Sequence, residues 1–160
     1  MKKIILIFVF IITSYSYQIV NYLQDSIIQK DNKYIKLLEG SSWILSLPSL
    51  ALPTDNVIIV FYKNQKNIIP IYYHDNEEIV ARYINGPLVT STGYITTVIQ
   101  VFKEGAILKT IDNYFLYVPQ YYRYYTNFWL PPYKILIDSS QQFFWNLDKI
   151  KKIQLDGIYK

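Results

Sequence analysis

His74 is the only histidine of the chain, and it stands in Tyr73-His74-Asp75-Asn76-Glu77-Glu78, where an imidazole and carboxylates crowd together. A transition-metal centre needs several ligands converging on one point, and near His74 the sequence offers only Asp75, Glu77 and Glu78. A calcium loop needs regularly spaced oxygens and a glycine at its bend, and neither is present. The segment therefore reads as a solvated hairpin turn, with no metal and no cofactor expected. Nucleophilic catalysis has little to draw on: there is no cysteine and no Gly-x-Ser-x-Gly elbow. The hydroxyls of Thr90, Ser91, Thr92, Ser139 and Ser140 fall in expected loops. Asp55, Glu104, Asp112 and Asp138 could supply a carboxylate pair for hydrolysis, but spacing singles out no two of them. With five glycines in the whole chain, no phosphate-cradling loop can be drawn.

The segment Tyr117 to Tyr133, YVPQYYRYYTNFWLPPY, has chemistry of another kind. Its single charge is Arg123, and Pro119, Pro131 and Pro132 stiffen its ends. Tyrosine and tryptophan give large contact areas with few rotors to freeze, and arginine among them completes the usual composition of a binding hot spot. Tyr121, Tyr122, Arg123, Tyr124, Tyr125, Phe128 and Trp129 are the candidate binding residues. The competing reading is that these rings cover the open end of a barrel or form the seam between two copies of one module.

Short apolar runs bounded by turn residues surround these candidates, and they read as strands. The expected strands lie near 26–30, 33–38, 43–47, 56–62, 68–73 and 79–84, then near 95–102, 106–111, 113–118, 133–138, 142–147 and 152–158. The one helix candidate is Tyr17 to Lys30, where Ile19, Leu23 and Ile27 fall four apart. The two strand sets align. Without gaps, Ile27 to Pro48 lies over Val98 to Pro119, matching Ile28 with Ile99, Leu37 with Leu108, Trp43 with Tyr114 and Leu45 with Leu116. Further on, Val57-Ile58-Ile59 meets Ile135-Leu136-Ile137 and Tyr72-Tyr73 meets Phe144-Trp145. The expectation is an all-β protein of two tandem small antiparallel barrels or sandwiches, SH3-like, over 17–86 and 95–160 with a linker at 87–94. The last segment, with Lys149, Lys151, Lys152 and Lys160 around Ile153 and Leu155, reads as a lysine-guarded edge strand.

Lys2-Lys3, the apolar run Ile4 to Ile12 and the small polar stretch Thr13 to Ser16 have the order of a secretory signal peptide, with cleavage expected after Ser16. Nine apolar residues fall short of the ~20 that a spanning helix needs. Setting Lys2 and Lys3 aside lowers the net charge from +4 to +2, which argues against a nucleic-acid partner. The chain is 51% hydrophobic and 18% aromatic, so a packed core is within reach and disulfides cannot assist it. Leu38-Glu39-Gly40-Ser41-Ser42-Trp43 resembles the Leu-x-Asp-Gly-Ser-x-Trp hairpin of short exported bacterial proteins of unassigned function, without its Asp. That resemblance implies a compact β-module and no chemistry. The resulting expectation is a non-enzymatic binding protein, periplasmic, at the cell surface or secreted. Its partner would be a protein, peptide or glycan of the envelope, and it would touch membrane only through the signal peptide. The alternative is a small exported hydrolase acting on an envelope polymer through carboxylates.

Overall fold

The computed structural model describes residues 18–160, so the signal-peptide reading of 1–16 lies outside the described residues. The chain forms two compact units. One holds Val20–Thr92 with Leu147–Lys151, and the other holds Gly93–Asn146 and Lys152–Lys160. Both are antiparallel β-structures, and no described helix is long and apolar enough to cross a membrane.

The first unit is a closed barrel of six strands: β1 (Gln18–Asp31), β2 (Tyr34–Leu37), β3 (Ser42–Leu45), β4 (Asn56–Asn64), β5 (Asn67–His74) and β6 (Glu77–Asn85). The order is β1-β2-β3-β6-β5-β4, and β4 returns to pair with β1. Two strands serve twice. β1 pairs β4 through Asn21 to Ser26, then bends at a bulge between Ile27 and Gln29 and pairs β2. β6 pairs β5 through Glu77 to Val80 and β3 through Ala81 to Asn85. The β5–β6 ladder ends at Ile71 opposite Val80 because the next residue of β5 is Pro70, which has no N–H to give. Bulges and bent strands of this kind turn a sheet into a barrel.

Tyr17 to Lys30 is the helix candidate of the sequence, and its described part, from Gln18, is strand, which takes in the strand expected near 26–30. The alternation that would have shown it is broken by Asp25, which is buried between Leu23 and Ile27 on the core face. Asp25 remains there because its oxygens accept the N–H groups of Ser26 (2.8 Å) and Glu39 (2.9 Å). The core gathers Leu23, Ile27, Ile35, Leu37, Trp43, Ile59 and Tyr72. At one corner Gly86 has φ +100°, and a Cβ there would stand 2.3 Å from the carbonyl oxygen of Gly40, so only glycine fits.

The second unit uses β7 (Ser91–Phe102), β8 (Ile107–Thr110), β9 (Phe115–Tyr117), the helix α1 (Arg123–Phe128), β10 (Tyr133–Asp138), β11 (Phe143–Asn146), β12 (Lys151–Gln154) and β13 (Gly157–Tyr159). Its order is β12-β11-β10-β7-β8-β9-β13. This follows the first barrel, with the sixth strand broken into β12 and β13. Ser91 and Thr92, expected in a loop, belong to β7. β12 ends the order, with Ile153 buried between exposed neighbours.

The pairings match the units residue by residue. The bulge between Ile27 and Gln29 recurs between Val98 and Gln100. Val57, Ile58 and Ile59 oppose Asp25, Gln24 and Leu23 as Ile135, Leu136 and Ile137 oppose Thr96, Ile95 and Tyr94. Tyr72 and Tyr73 oppose Ile59 and Ile58 as Phe144 and Trp145 oppose Ile137 and Leu136. The gapless run, however, breaks at the first hairpin. Ile35, between Lys30 and Trp43, corresponds to Leu108, between Val101 and Leu116. The expected matches of Leu37 with Leu108 and Trp43 with Tyr114 are therefore displaced by two. The physical reason is the turn, Asn32-Lys33 in the first unit and Lys103 to Ala106 in the second.

Candidate functional site

The segment 118–132 connects β9 to β10, the place that 46–55 holds between β3 and β4. After Val118 the chain makes a 3-10 turn over Gln120–Tyr122 and then α1. A helix this short cannot stand on its own propensity, so packing must hold it. Its spacing does this. Tyr122, Tyr125 and Trp129 pack on a core of Val98, Leu108, Leu116, Tyr133, Ile135 and Phe144. Thr126 on the same face is fully buried and donates its hydroxyl to the carbonyl of Gly105 at 2.7 Å.

The opposite face is bare. Tyr121 is 79% exposed, Tyr124 70% and Phe128 67%, and Leu130 follows them into solvent. Tyr124 packs at a tilt against Phe128 with ring centroids 5.0 Å apart, and Tyr121 meets Tyr122 edge-on at 5.0 Å. The two sequence readings of this segment, core cap and open surface, thus fall on different faces of one helix. Tyr122, Tyr125 and Trp129 belong to the first, and Tyr121, Tyr124 and Phe128 to the second.

Arg123 belongs to neither row. Its Nε donates to the carbonyl of Val118 at 3.0 Å, and its side chain lines a pocket of ≈ 590 Å³ together with Lys103, Ile107, Tyr117, Asp156 and Tyr159. Strand pairing builds this wall, because Ile107, Tyr117 and Gly157 stand opposite one another across β8, β9 and β13. The Tyr159 ring folds over Gly157 and meets Tyr117 edge-on at 5.1 Å. Sequence reading missed Lys103, Asp156 and Tyr159. Nothing local marks them, since Asp156 and Tyr159 reach the pocket only through the β9–β13 ladder.

His74 is not a solvated loop residue. It ends β5 with its side chain 12% exposed, and both ring nitrogens face carboxylates: Nδ1 lies 2.8 Å from Glu77 Oε1 and Nε2 3.1 Å from Asp55 Oδ2. Glu77 also accepts the Ser49 hydroxyl at 2.8 Å and the Leu50 N–H, while Tyr72 OH lies 2.7 Å from Ser49 Oγ. Asp55 accepts the Leu52 N–H at 2.9 Å, and Lys30 Nζ binds the carbonyls of Ser49 and Ala51. The Leu52 N–H, joined by His74, holds the Asp55 carboxyl below its ordinary range. Burial pushes Glu77 up, but the hydrogen bonds from Ser49, His74 and Leu50 outweigh it and leave this carboxyl lowered too. The cluster fastens the connection 46–55 to the barrel, although Leu47, Leu50 and Leu52 remain exposed on it.

The other candidate carboxylates lie apart. Asp112 accepts the hydroxyls of Thr96 and Thr110, each at 2.6 Å, and Asp138 accepts the Ser140 N–H. Glu104 is exposed in a tight turn. Among the described residues no group of three histidine, cysteine or acidic side chains is placed to hold a metal ion. Comparison with protein-family models, with curated proteins and with solved structures gave no match to this chain.

Proposed function

We propose that this chain is a non-enzymatic binding protein of the bacterial envelope or surface, exported by its first sixteen residues, which engages a partner through the β9–β10 connection. The observation that carries this reading is the division of 121–129 into a buried face and an aromatic exposed face. A surface that binds tightly loses little entropy when its side chains are already held. Tyr122, Tyr125, Thr126 and Trp129 anchor the backbone, so that Tyr121, Tyr124 and Phe128 are presented on a fixed support. The partner class is a protein, peptide or glycan offering a complementary apolar face.

The test replaces Tyr121, Tyr124 and Phe128 together by Ser. Exposed side chains contribute little to folding, so the melting temperature should move by no more than about 3 °C. A photo-crosslinker at residue 124 should join a partner in the envelope of the producing cell, and the Tyr121→Ser and Phe128→Ser changes should abolish that product. A collapse in stability with the triple variant would show instead that the outer rings are core.

The hydrolase alternative rests on the Asp55–His74–Glu77 cluster, which borders a polar pocket of ≈ 410 Å³ that Lys149 also lines. The binding reading is preferred because both imidazole nitrogens are already engaged by carboxylates, which leaves neither to take a proton from a substrate.

A further inference from the structure

We infer that the pocket beneath α1 captures the carboxylate end of a peptide, with Arg123 and Lys103 receiving the carboxylate, Asp156 the adjacent N–H, and Tyr117 with Tyr159 the last side chain. This rests on the binding role proposed above and names the partner's chemistry. Three observations carry it.

The first is charge. Lys103, Arg123 and Asp156 line one pocket, and among the described residues none of the three has an ion-pair partner. Charges that converge on a cavity without neutralising one another leave their donors and acceptors to a ligand. Arg123 is already oriented, because its Nε is fixed to Val118 and only the two terminal nitrogens of the fork remain. A planar fork presented in this way suits a carboxylate. Asp156 on the same wall opposes a dianionic phosphate, yet it would accept the N–H that accompanies a chain-terminal carboxylate.

The second is size and lining. A pocket of ≈ 590 Å³ is within the range of small-ligand sites and holds one or two residues, not a folded partner. Ile107 and the edge-on pair Tyr117 and Tyr159 form its apolar side.

The third is where the two units differ. Their strands pair alike, but the second has a longer β7–β8 turn and a longer β9–β10 connection. Both additions meet at this pocket: the turn brings Lys103 and the connection brings Arg123. The turn is held in an uncommon, left-handed conformation, with Lys103 at φ 50° and Glu104 at φ 57°. The same turn seats α1 through the Gly105 carbonyl and Thr126, and the first unit, which has no such helix, closes its hairpin with two residues.

The experiment titrates the ¹⁵N-labelled protein with acetyl-Gly-Gly-Phe as free acid, with its C-terminal amide, with free phenylalanine and with inorganic phosphate. The free acid is expected to shift the amides of Ala106, Ile107, Tyr117 and Val118 and to bind at least 10-fold more tightly than the amide. Lys103→Gln and Arg123→Gln should each weaken the acid at least 10-fold and leave the amide unchanged. Lys103→Gln lies in an exposed turn, so it tests the assignment even where Arg123→Gln disturbs α1. Equal binding of acid and amide, stronger binding of phosphate or of free phenylalanine, or no shift from any probe at millimolar concentration would overturn the assignment. The Tyr121, Tyr124 and Phe128 triple variant should still bind the free acid. If it loses envelope capture and keeps peptide binding, surface and pocket are separate, and failure of either reading is seen apart from the other.

Discussion

Glu77 shows how much one side chain can organise. A single carboxylate joins the β5–β6 turn to Ser49 and Leu50 in the β3–β4 connection and to His74 beneath it. Its carboxyl is lowered in the folded protein, so its contribution to stability is present above the unfolded carboxylate value of about 4.3 and is lost as the pH falls through the lower folded value. Asp55 has the same sign. Glu77→Gln should therefore melt below the parent protein at pH 7, and the gap should narrow as the pH is lowered from about 5 to 3, because acid neutralises the parent carboxyl as the substitution does. Thermal melts across that range decide it, and a gap that stays constant down to the acid end would remove Glu77 from the acid response. The sequence showed His74 and Glu77 three apart in a turn, which is ordinary turn chemistry. It could not show Asp55, nineteen residues away, since that meeting depends on the β4–β5 register.

Among the elements, α1 depends on a glycine outside itself. Gly105 has φ +88°, and a Cβ there would lie 2.7 Å from the carbonyl oxygen of Arg123, the N of Asn127 and the hydroxyl of Thr126. The helix rests directly on this backbone, and Thr126 closes the contact with its hydrogen bond to the Gly105 carbonyl. Gly105→Ala combines a disfavoured backbone conformation with a clash that no flexible side chain relieves, so a loss of about 2 kcal/mol or more is expected. Limited proteolysis should then cut first within 118–132, while the parent protein resists there. An unchanged melting temperature would mean that α1 is not seated on this turn. The spacing of aromatics within 117–133 was legible as a surface or a cap. Which ring goes to which face was not, because that is fixed by Thr126 finding Gly105 across a turn two residues longer than its counterpart. Only the first half of β1, up to Asp25, escaped the strand reading, for a related reason: a buried Asp25, satisfied by Glu39, interrupts the alternation on which a strand reading relies.

For the molecule as a whole, the proposed export bears on charge through the first sixteen residues, which carry Lys2 and Lys3. If they are removed on export, the net charge falls to +2, and long-range attraction to polyanions weakens. N-terminal sequencing of the exported product should begin at or near Tyr17, and a product that keeps Met1 on the membrane would make the protein an anchored one. Side-chain period and turn residues were enough to establish the β-class, most of the strand runs and the correspondence of Val57-Ile58-Ile59 with Ile135-Leu136-Ile137, because these are local properties of the chain. The closure of β4 on β1, the two faces of α1, the clamp around His74 and the pocket that joins Lys103, Arg123 and Asp156 emerged only from the folded molecule. Each of these is a contact between residues distant in the chain, and it is hydrogen-bond register and close packing, not composition, that select which distant residues meet.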